Sequence, residues 1–440
     1  MQSITLNNHN IMSTPTISKE KPNKLVSRVL ILGGTGRVGA STATALSHLC
    51  PGLQLKIGGR NRKQGAALVS SLGENSEFVE LDIYNQRMLK EALEGVDVVV
   101  HAAGPFKVQD KCAVLKAAIS SKTAYVDVCD NTDYALRAKG LHEKAIAAGI
   151  PAITTAGICP GVSNVMAAKL VDAARNRDGA TPESLRFASH YSYRRLQKSK
   201  FVLEKGYLYV SQERKVVPYT ASVLKYLFRF SYYVAGSGGV GPTMLLSCMY
   251  LLDEEAIAYD KGKEVKLKPY SGVLNIDFGE GIGKKDAYLL NLPEVRSAHQ
   301  ILKVPTVSAR FGSDPFFWNW AMQASARFLP KEFLRDKNKV FRIVQSIDPL
   351  VRIVDEISGQ SLSMRVDLNC TDGKKKVGLF THKKLSVSAG YAAAAFVLAV
   401  LEGSTKPGVW FPEEPEGIAV DARKVLLERA TQGTSNFVMQ

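Results

Sequence analysis

Between Arg28 and Thr155, short apolar runs alternate with stretches whose apolar residues return every three or four positions. That is how a parallel sheet with covering helices reads in sequence. Strands are predicted over 29–32, 53–57, 77–81, 96–101, 124–128 and 152–154, and helices over 37–49, 63–72, 85–93, 110–120 and 134–148. Several strands are apolar throughout rather than alternating, as expected where both faces of a sheet are covered. Downstream, 272–278, 364–368 and 377–381 alternate like antiparallel strands and suggest a mixed sheet, which could also dimerise. The most apolar run, Leu385 to Leu401, is Ala-rich and carries Ser386, Ser388 and Gly390. It falls short of the ~20 residues that cross a bilayer and reads as a buried helix packed between domains.

The expected class is α/β: an N-terminal Rossmann doubly wound parallel sheet, a second α+β domain containing a mixed sheet, and a C-terminal helix packing back on the first domain. A chain of 440 residues fits two domains. The expected division is a disordered or targeting segment at 1–26, the Rossmann domain at 27–157, a substrate or dimerisation domain at 158–384 and a return segment at 385–440.

The first strand runs into Gly33-Gly34-Thr35-Gly36-Arg37-Val38-Gly39, so that Gly34-x-Gly36-x-x-Gly39 follows a strand and opens a helix. Glycine is needed because the chain turns tightly, approaches a pyrophosphate with no Cβ in the way, and packs the helix on the strand. The helix start then offers free N–H groups and a positive dipole end to the diphosphate. At the end of the second strand an NAD enzyme places Asp or Glu on the ribose 2′-hydroxyl. Here the run is Gly58-Gly59-Arg60-Asn61-Arg62, with no carboxylate. Arg60 can pair with a 2′-phosphate through its planar fork, so NADP is the expected cofactor. Asp82, after the third strand, is placed either at the adenine end or as a helix N-cap. Ala103-Gly104-Pro105, after the fourth, supplies small residues and a rigid turn against ribose and nicotinamide. A second match, Gly236-x-Gly238-x-x-Gly241, is followed by Pro242 at a plausible first helical position but lacks the flanking βαβ alternation, and reads as a flexible loop over the substrate.

Substrates of open α/β sheets bind at the carboxyl ends of the strands, where Tyr125, Asp127 and Asp130 emerge as catalytic candidates beside a structural alternative for each. Ser163 and Asn164 open a helix and either hold a substrate carboxylate or serve as caps. Cys159, beside Pro160, is either a reactive thiol or, preferably, a small packed residue.

Charge alters this picture only in part. A formal net charge of +16 invites nucleic acid, an anionic membrane surface or small anions. Yet no long Lys/Arg block occurs and no basic and aromatic interleaving supports nucleic acid. The expected partner is a small-molecule substrate, with neither nucleic acid nor membrane, and with a homodimer left open. The six cysteines are scattered, with no Cys-x-x-Cys pair and no metal-ligand spacing. They imply free thiols and no metal. Residues 1–19 lack acids and are rich in Ser, Thr and Asn, as transit peptides are, but also lack Arg. Chloroplast is the expected location, with cytoplasm as the alternative.

Taken together, Gly33-Gly-Thr-Gly-Arg-Val-Gly39, Gly59-Arg60-Asn61, Ala102-Ala-Gly-Pro-Phe106, Tyr125-Val-Asp127 and Ala156-Gly-Ile-Cys-Pro-Gly-Val-Ser-Asn164 resemble the saccharopine dehydrogenase-like oxidoreductases, most of all a plant plastid-type member. The resemblance implies NADP-dependent hydride transfer to or from a C=N or C=O bond of a small, amino-acid-like metabolite. Two departures stand out. Relatives read Gly-x-Asp-Pro-Gly where this chain has Gly157-Ile-Cys159-Pro-Gly161, which removes an acid that could touch substrate. The basic stretch 188–229 interrupts the family pattern and is expected to be an insertion. A non-catalytic NADP-binding or redox-sensing protein, or one associated with a lipid surface through 385–401, is the rival reading.

Overall fold

The computed structural model describes residues 27–177, 179–193, 201–204, 207–210, 216–218, 242–314, 316–358 and 360–440. The expected segment 1–26 and the second glycine-rich run at 236–241 lie outside the described residues.

Strands β1 (Arg28–Leu32), β2 (Gln54–Gly59), β3 (Ser76–Glu80), β4 (Val98–His101), β5 (Ala124–Asp127) and β6 (Pro151–Ile153) form one parallel sheet of order 6-5-4-1-2-3. A seventh strand from far downstream, β18 (Gly408–Trp410), joins its β6 edge, also in parallel. The continuous apolar runs have their reason in the packing. Val29 and Ile31 enter one core and Leu30 and Leu32 the other, all fully buried. Helices α1 (Arg37–Leu49) and α2 (Arg62–Leu72) cover the first face. Helices α3 (Gln86–Ala92), α4 (Ala113–Ser120), α5 (Thr132–Lys139) and α6 (His142–Ala148) cover the second. The single helix predicted at 134–148 is thus two. Gly140, a poor helix former, ends the first, and Leu141 at φ −96°, ψ 7° turns the chain into the next.

Helix α7 (Val162–Arg177) carries the chain into a nine-stranded mixed sheet centred on β7 (Pro182–Tyr193). Three short strands, β8 (Phe201–Glu204), β9 (Tyr207–Val210) and β10 (Val216–Pro218), form a small antiparallel sheet of their own. Helix α8 (Pro242–Leu251) and the hairpin β11 (Ala256–Asp260) and β12 (Lys263–Leu267) follow. The next hairpin, β13 (Leu274–Asp277) with β14 (Lys284–Leu289), leads to α9 (Pro293–Leu302) and β15 (Thr306–Ser313). Helices α10 (Phe316–Phe328), α11 (Lys331–Arg335) and α12 (Lys337–Ser358) precede β16 (Gln360–Cys370) and β17 (Lys375–His382). β7 pairs with β15 in parallel and with β16 antiparallel, which makes the sheet mixed as expected.

The expected insertion at 188–229 begins too early. Residues 188–193 are the second half of β7, paired with Arg310 to Ser313 on one side and Gln360 to Arg365 on the other. They belong to the centre of the sheet. Residues 194–200 and most of the remainder to 229 lie outside the described residues.

The return segment serves both domains. Helix α13 (Leu385–Leu401) forms over the predicted span and is buried all round, from Ala392 through Val397. It crosses α1, touches β4 and β5, and reaches β16 on its other side. One core therefore runs from Val29 through α7 and α13 to Leu185, Met364 and Phe380 of the second sheet. After β18 and α14 (Ala422–Ala430), β19 (Thr434–Met439) closes the edge of the second sheet beside β17. No helix among the described residues is long and apolar enough to cross a membrane.

Candidate functional site

Three segments converge at the carboxyl edge of the parallel sheet. Gly33 turns the chain at φ +75°, a conformation that suits glycine, and its carbonyl accepts the Gly36 N–H at 2.8 Å. Gly34 donates to the Gly58 carbonyl at 2.9 Å, which ties the turn to the end of β2. A Cβ on Gly39 would strike the Gly33 carbonyl, so the helix can sit this close to the turn only without one. Thr35 lies against Gly59, where a Cβ would come 2.8 Å from its Oγ1. Helix α1 starts after Gly36 with no side-chain cap and no acid in its first turn, so Arg37, Val38 and Gly39 open the helix with N–H groups left for an anion.

The 2′ end of the cradle is divided among three side chains. Asn61 caps α2, accepting the Gln64 N–H at 3.1 Å. Arg62 is held 3.0 Å from Glu80, at the end of β3. Arg60 is exposed beside them and has no acidic partner among the described residues, which leaves it to meet a phosphate. Asp82 accepts the Tyr84 N–H at 3.0 Å, and the cap of the following helix is Asn85. These features fit NADP: a cradle that Cβ atoms would fill, a β2 end without a carboxylate, and a cation at the 2′ position.

The loop after β4 lies directly on this cradle. A Cβ on Gly33 would fall 2.8 Å from the Ala102 carbonyl and the Ala103 nitrogen. Ala103, Gly104 and Pro105 are half-buried and line the same edge.

Beyond it, the catalytic candidates of β5 separate. Asp127 is fully buried and accepts four hydrogen bonds, from Tyr125 O–H (2.8 Å), Cys129 N–H (3.0 Å), Thr154 O–H (3.1 Å) and Thr155 N–H (2.8 Å). Burial pushes its carboxyl up to about 6, and the donors act the other way. Tyr125, also fully buried, reaches the Tyr134 hydroxyl at 3.2 Å, and burial raises its phenol well above the ordinary value. These two groups tie the ends of β5 and β6 together and are not open to a substrate. Asp130 is placed differently. It is partly buried, which raises its carboxyl, while a hydrogen bond with Ser247 of α8 lowers it. It faces the second domain.

Cys159, Ser163 and Asn164 also turn inward. The Cys159 sulfur lies 3.1 Å from the Met364 sulfur, and burial, with Glu294 adding to it, raises the thiol well above its ordinary value. Asn164 donates to Ser297 at 3.2 Å and to Glu413 at 2.9 Å, and Ser163 donates to Glu294 at 3.3 Å. The carboxylates expected from a substrate are therefore the protein's own. Glu294 stands in the first turn of α9 and Glu413 in the loop after β18. In sequence both read as ordinary acids, a helix-start Glu after Pro293 and one member of a Glu-Glu pair.

Burial pushes both carboxyls up to about 7. An unfolded Glu gives up its proton near ~4.3, so the folded protein holds more protons between these values. Stability from this pair is present below the unfolded value and declines as pH rises towards about 7. Glu294→Gln with Glu413→Gln keeps the hydrogen bonds without the titration, and is expected to flatten the decline in thermal midpoint that wild type shows across that window. His101 and His190, held near 4 by burial, gain stability as pH rises and do so in both proteins. An unchanged difference between variant and wild type at every pH would sink the assignment.

One link between the domains has no sequence signal. Lys107, in the turn Phe106–Val108 after the β4 loop, is ion-paired with Glu254, and its Nζ lies 3.6 Å from Asp133. Glu254 also accepts from Asn291 at 2.7 Å. A cavity of about 360 Å³ opens beside them, lined from both domains by Asp133, Glu254, Asn291 and Arg296 among others.

Comparison with known proteins agrees with this geometry. Residues 29–153 match the family of the saccharopine dehydrogenase NADP binding domain. Saccharopine dehydrogenase (L-Glu forming) from Saccharomyces cerevisiae, solved in its apo form, superposes with a TM-score of 0.58 at 16% identity, over 94% of this chain and 100% of that one. A 3-hydroxyacyl-CoA dehydrogenase type-2 from Mycobacterium avium matches over 29% of this chain and 72% of its own, at 19% identity and a TM-score of 0.25. No curated protein matches the sequence. Residues 29–153 are an NADP-binding domain of the saccharopine dehydrogenase type, set in a chain with the saccharopine dehydrogenase fold.

Proposed function

We propose that the protein is an NADP(H)-dependent oxidoreductase acting on a C=N or C=O bond of a small, amino-acid-like metabolite held between the two domains. The observation that carries this reading is the convergence of the glycine turn, the end of β2 that leads into Arg60, and the Ala103-Gly104-Pro105 loop on one edge of the sheet. The bond type follows from likeness to the saccharopine dehydrogenase fold. NADP supplies the hydride acceptor or, reduced, its donor. The uncapped start of α1 binds the diphosphate, Arg60 the 2′-phosphate, and the β4 loop keeps water and bulky side chains from the reacting face. Asp130, facing α8, is the candidate left to hold or pass a proton. A plastid location belongs to the same proposal, supported by the acid-poor residues 1–19. A full-length fluorescent fusion that stays in the cytosol would count against it.

Calorimetric titration with NADPH and NADH tests the cofactor. NADPH should bind at least about tenfold more tightly, ~1.4 kcal/mol, and Arg60→Ala should erase the preference while NADH binding stays as it was. Equal binding of both nucleotides by wild type would refute the assignment. Tight NADPH binding without turnover of any imine or carbonyl metabolite would favour the non-catalytic rival.

A further inference from the structure

Behind the β4 loop stands a polar chain that neither cofactor recognition nor the catalytic candidates use. His101, the last residue of β4, is fully buried, and its Nε2 lies 3.0 Å from Gln109 Oε1. Gln109 is itself 7% exposed, and its Nε2 donates to the Ala103 carbonyl at 2.8 Å. That second bond fixes the amide, since turning it over would set Oε1 against a carbonyl oxygen. With Oε1 then facing the ring, His101 must carry its proton on Nε2. Its Nδ1 is left bare, with no hydrogen-bond partner, in a wall of Phe106, Tyr125 and Tyr134 whose ring centroids lie 4.9, 6.5 and 6.3 Å away. Burial holds the ring neutral by pushing its pKa down to about 4, so this tautomer persists across the physiological range. The Gln109 backbone is fixed as well: its N–H donates to the Phe106 carbonyl at 3.0 Å and its carbonyl accepts from Arg137 at 3.2 Å.

We infer that His101 and Gln109 are positioning residues, a clamp that sets the Ala103 peptide for the nicotinamide half of NADP. This rests on the NADP reading above. The loop is held from two sides. Gly33 lies beneath it, at a distance no Cβ would allow, and Gln109 grips the Ala103 carbonyl from behind. Ala102 to Pro105 line the site half-buried, while His101 and Gln109 sit within the core and cannot touch the cofactor themselves. Pro105 makes the end of the loop rigid, but Ala102, Ala103 and Gly104 carry no polar side chain that could fix the Ala103 peptide. A neutral imidazole with one buried donor and one forced orientation does so, at the expense of a lone pair buried without a partner. The 2′-phosphate of the adenine half falls to Arg60 at the end of β2, which the clamp does not reach, so the two halves of the nucleotide should respond differently when it is broken.

The test is calorimetric titration of wild type, Gln109→Leu and Gln109→Glu with NADPH and with adenosine 2′,5′-bisphosphate, which carries the adenine half alone. Glutamate keeps an acceptor for His101 but has no N–H for Ala103, and so covers the case in which the leucine variant fails to fold. Losing this hydrogen bond should weaken NADPH about fivefold, from ~1 kcal/mol, with the bisphosphate affinity changed less than about twofold. Affinities for both ligands that fall together would show the clamp serving only the fold, and NADPH affinity unchanged in both variants would overturn it outright. Wild type that binds neither ligand overturns the NADP reading and this inference with it; wild type that binds both isolates the clamp.

Discussion

Asp127→Ala should destabilise the protein by about 3–5 kcal/mol, whereas Asp127→Asn should cost about 1 kcal/mol or less. The difference follows from the four donors on this carboxylate. Alanine leaves the Tyr125 and Thr154 hydroxyls and the Cys129 and Thr155 N–H groups buried with nothing to accept them. Asparagine can aim its carbonyl at the three donors that share Oδ1, while its NH2 donates to the Tyr125 oxygen. Tyr125 can then pass its own proton to Tyr134, 3.2 Å away. Thermal and urea denaturation measure both variants. The same pair separates the structural reading from a catalytic one. If Asp127 were a general base, asparagine would leave stability almost intact and abolish turnover; here it should leave NADPH-dependent turnover within a few-fold of wild type. A stable, NADPH-binding but inactive asparagine variant would return Asp127 to the catalytic list.

The nucleotide-binding half was legible because its constraints are local. A turn that must approach a diphosphate needs glycine at fixed spacing, and a sheet covered on both faces needs strands apolar throughout. Helix α1 and helix α13 both occupy their predicted spans, α1 because the glycine turn marks its start and its small and apolar residues return at helical spacing, α13 because it is a largely apolar stretch with clear ends. Strand β18 was missed because three residues near Trp410 carry no periodicity, and only its neighbour β6 makes it a strand. The break at Gly140 is the reverse case, in which a single glycine decided between one helix and two.

The candidate site divides along the same line. Arg60 could be chosen from a missing carboxylate, which is a local fact. Tyr125 and Asp127 lie in β5, and Ser163 and Asn164 in the first turn of α7, but which way a side chain turns there depends on partners far along the chain. Asn164 meets Glu413, 249 positions away, and Lys107 meets Glu254 across 147. His190 and Ala188, assigned to an insertion, lie at the centre of the second sheet because β15 and β16 pair on either side of them. Polar residues in a strand paired on both edges look like loop in sequence, and only the pairing corrects that.

Gly390→Ala should lower stability by about 2 kcal/mol, although alanine in a helix interior ordinarily gains ~1 kcal/mol over glycine. The sign reverses because α13 crosses α1 backbone to backbone at this residue. A Cβ on Gly390 would stand 2.5 Å from the Ser41 carbonyl carbon and oxygen. Neither is the end of a flexible side chain, so the helices must move apart, and overpacking of this kind costs ~1–3 kcal/mol even where side chains can adjust. Separation also opens the core between the two sheets, since Ala394 and Val397 of α13 share it with Ala43 and Leu46 of α1. With the start of α1 proposed to hold the diphosphate, the strain should reach binding too. NADPH affinity is expected to fall together with the thermal midpoint, and Gly390→Leu to amplify both. An alanine variant as stable as wild type would show that the two helices are not in contact here, and the placement of the return segment against the NADP-binding domain would fall with it.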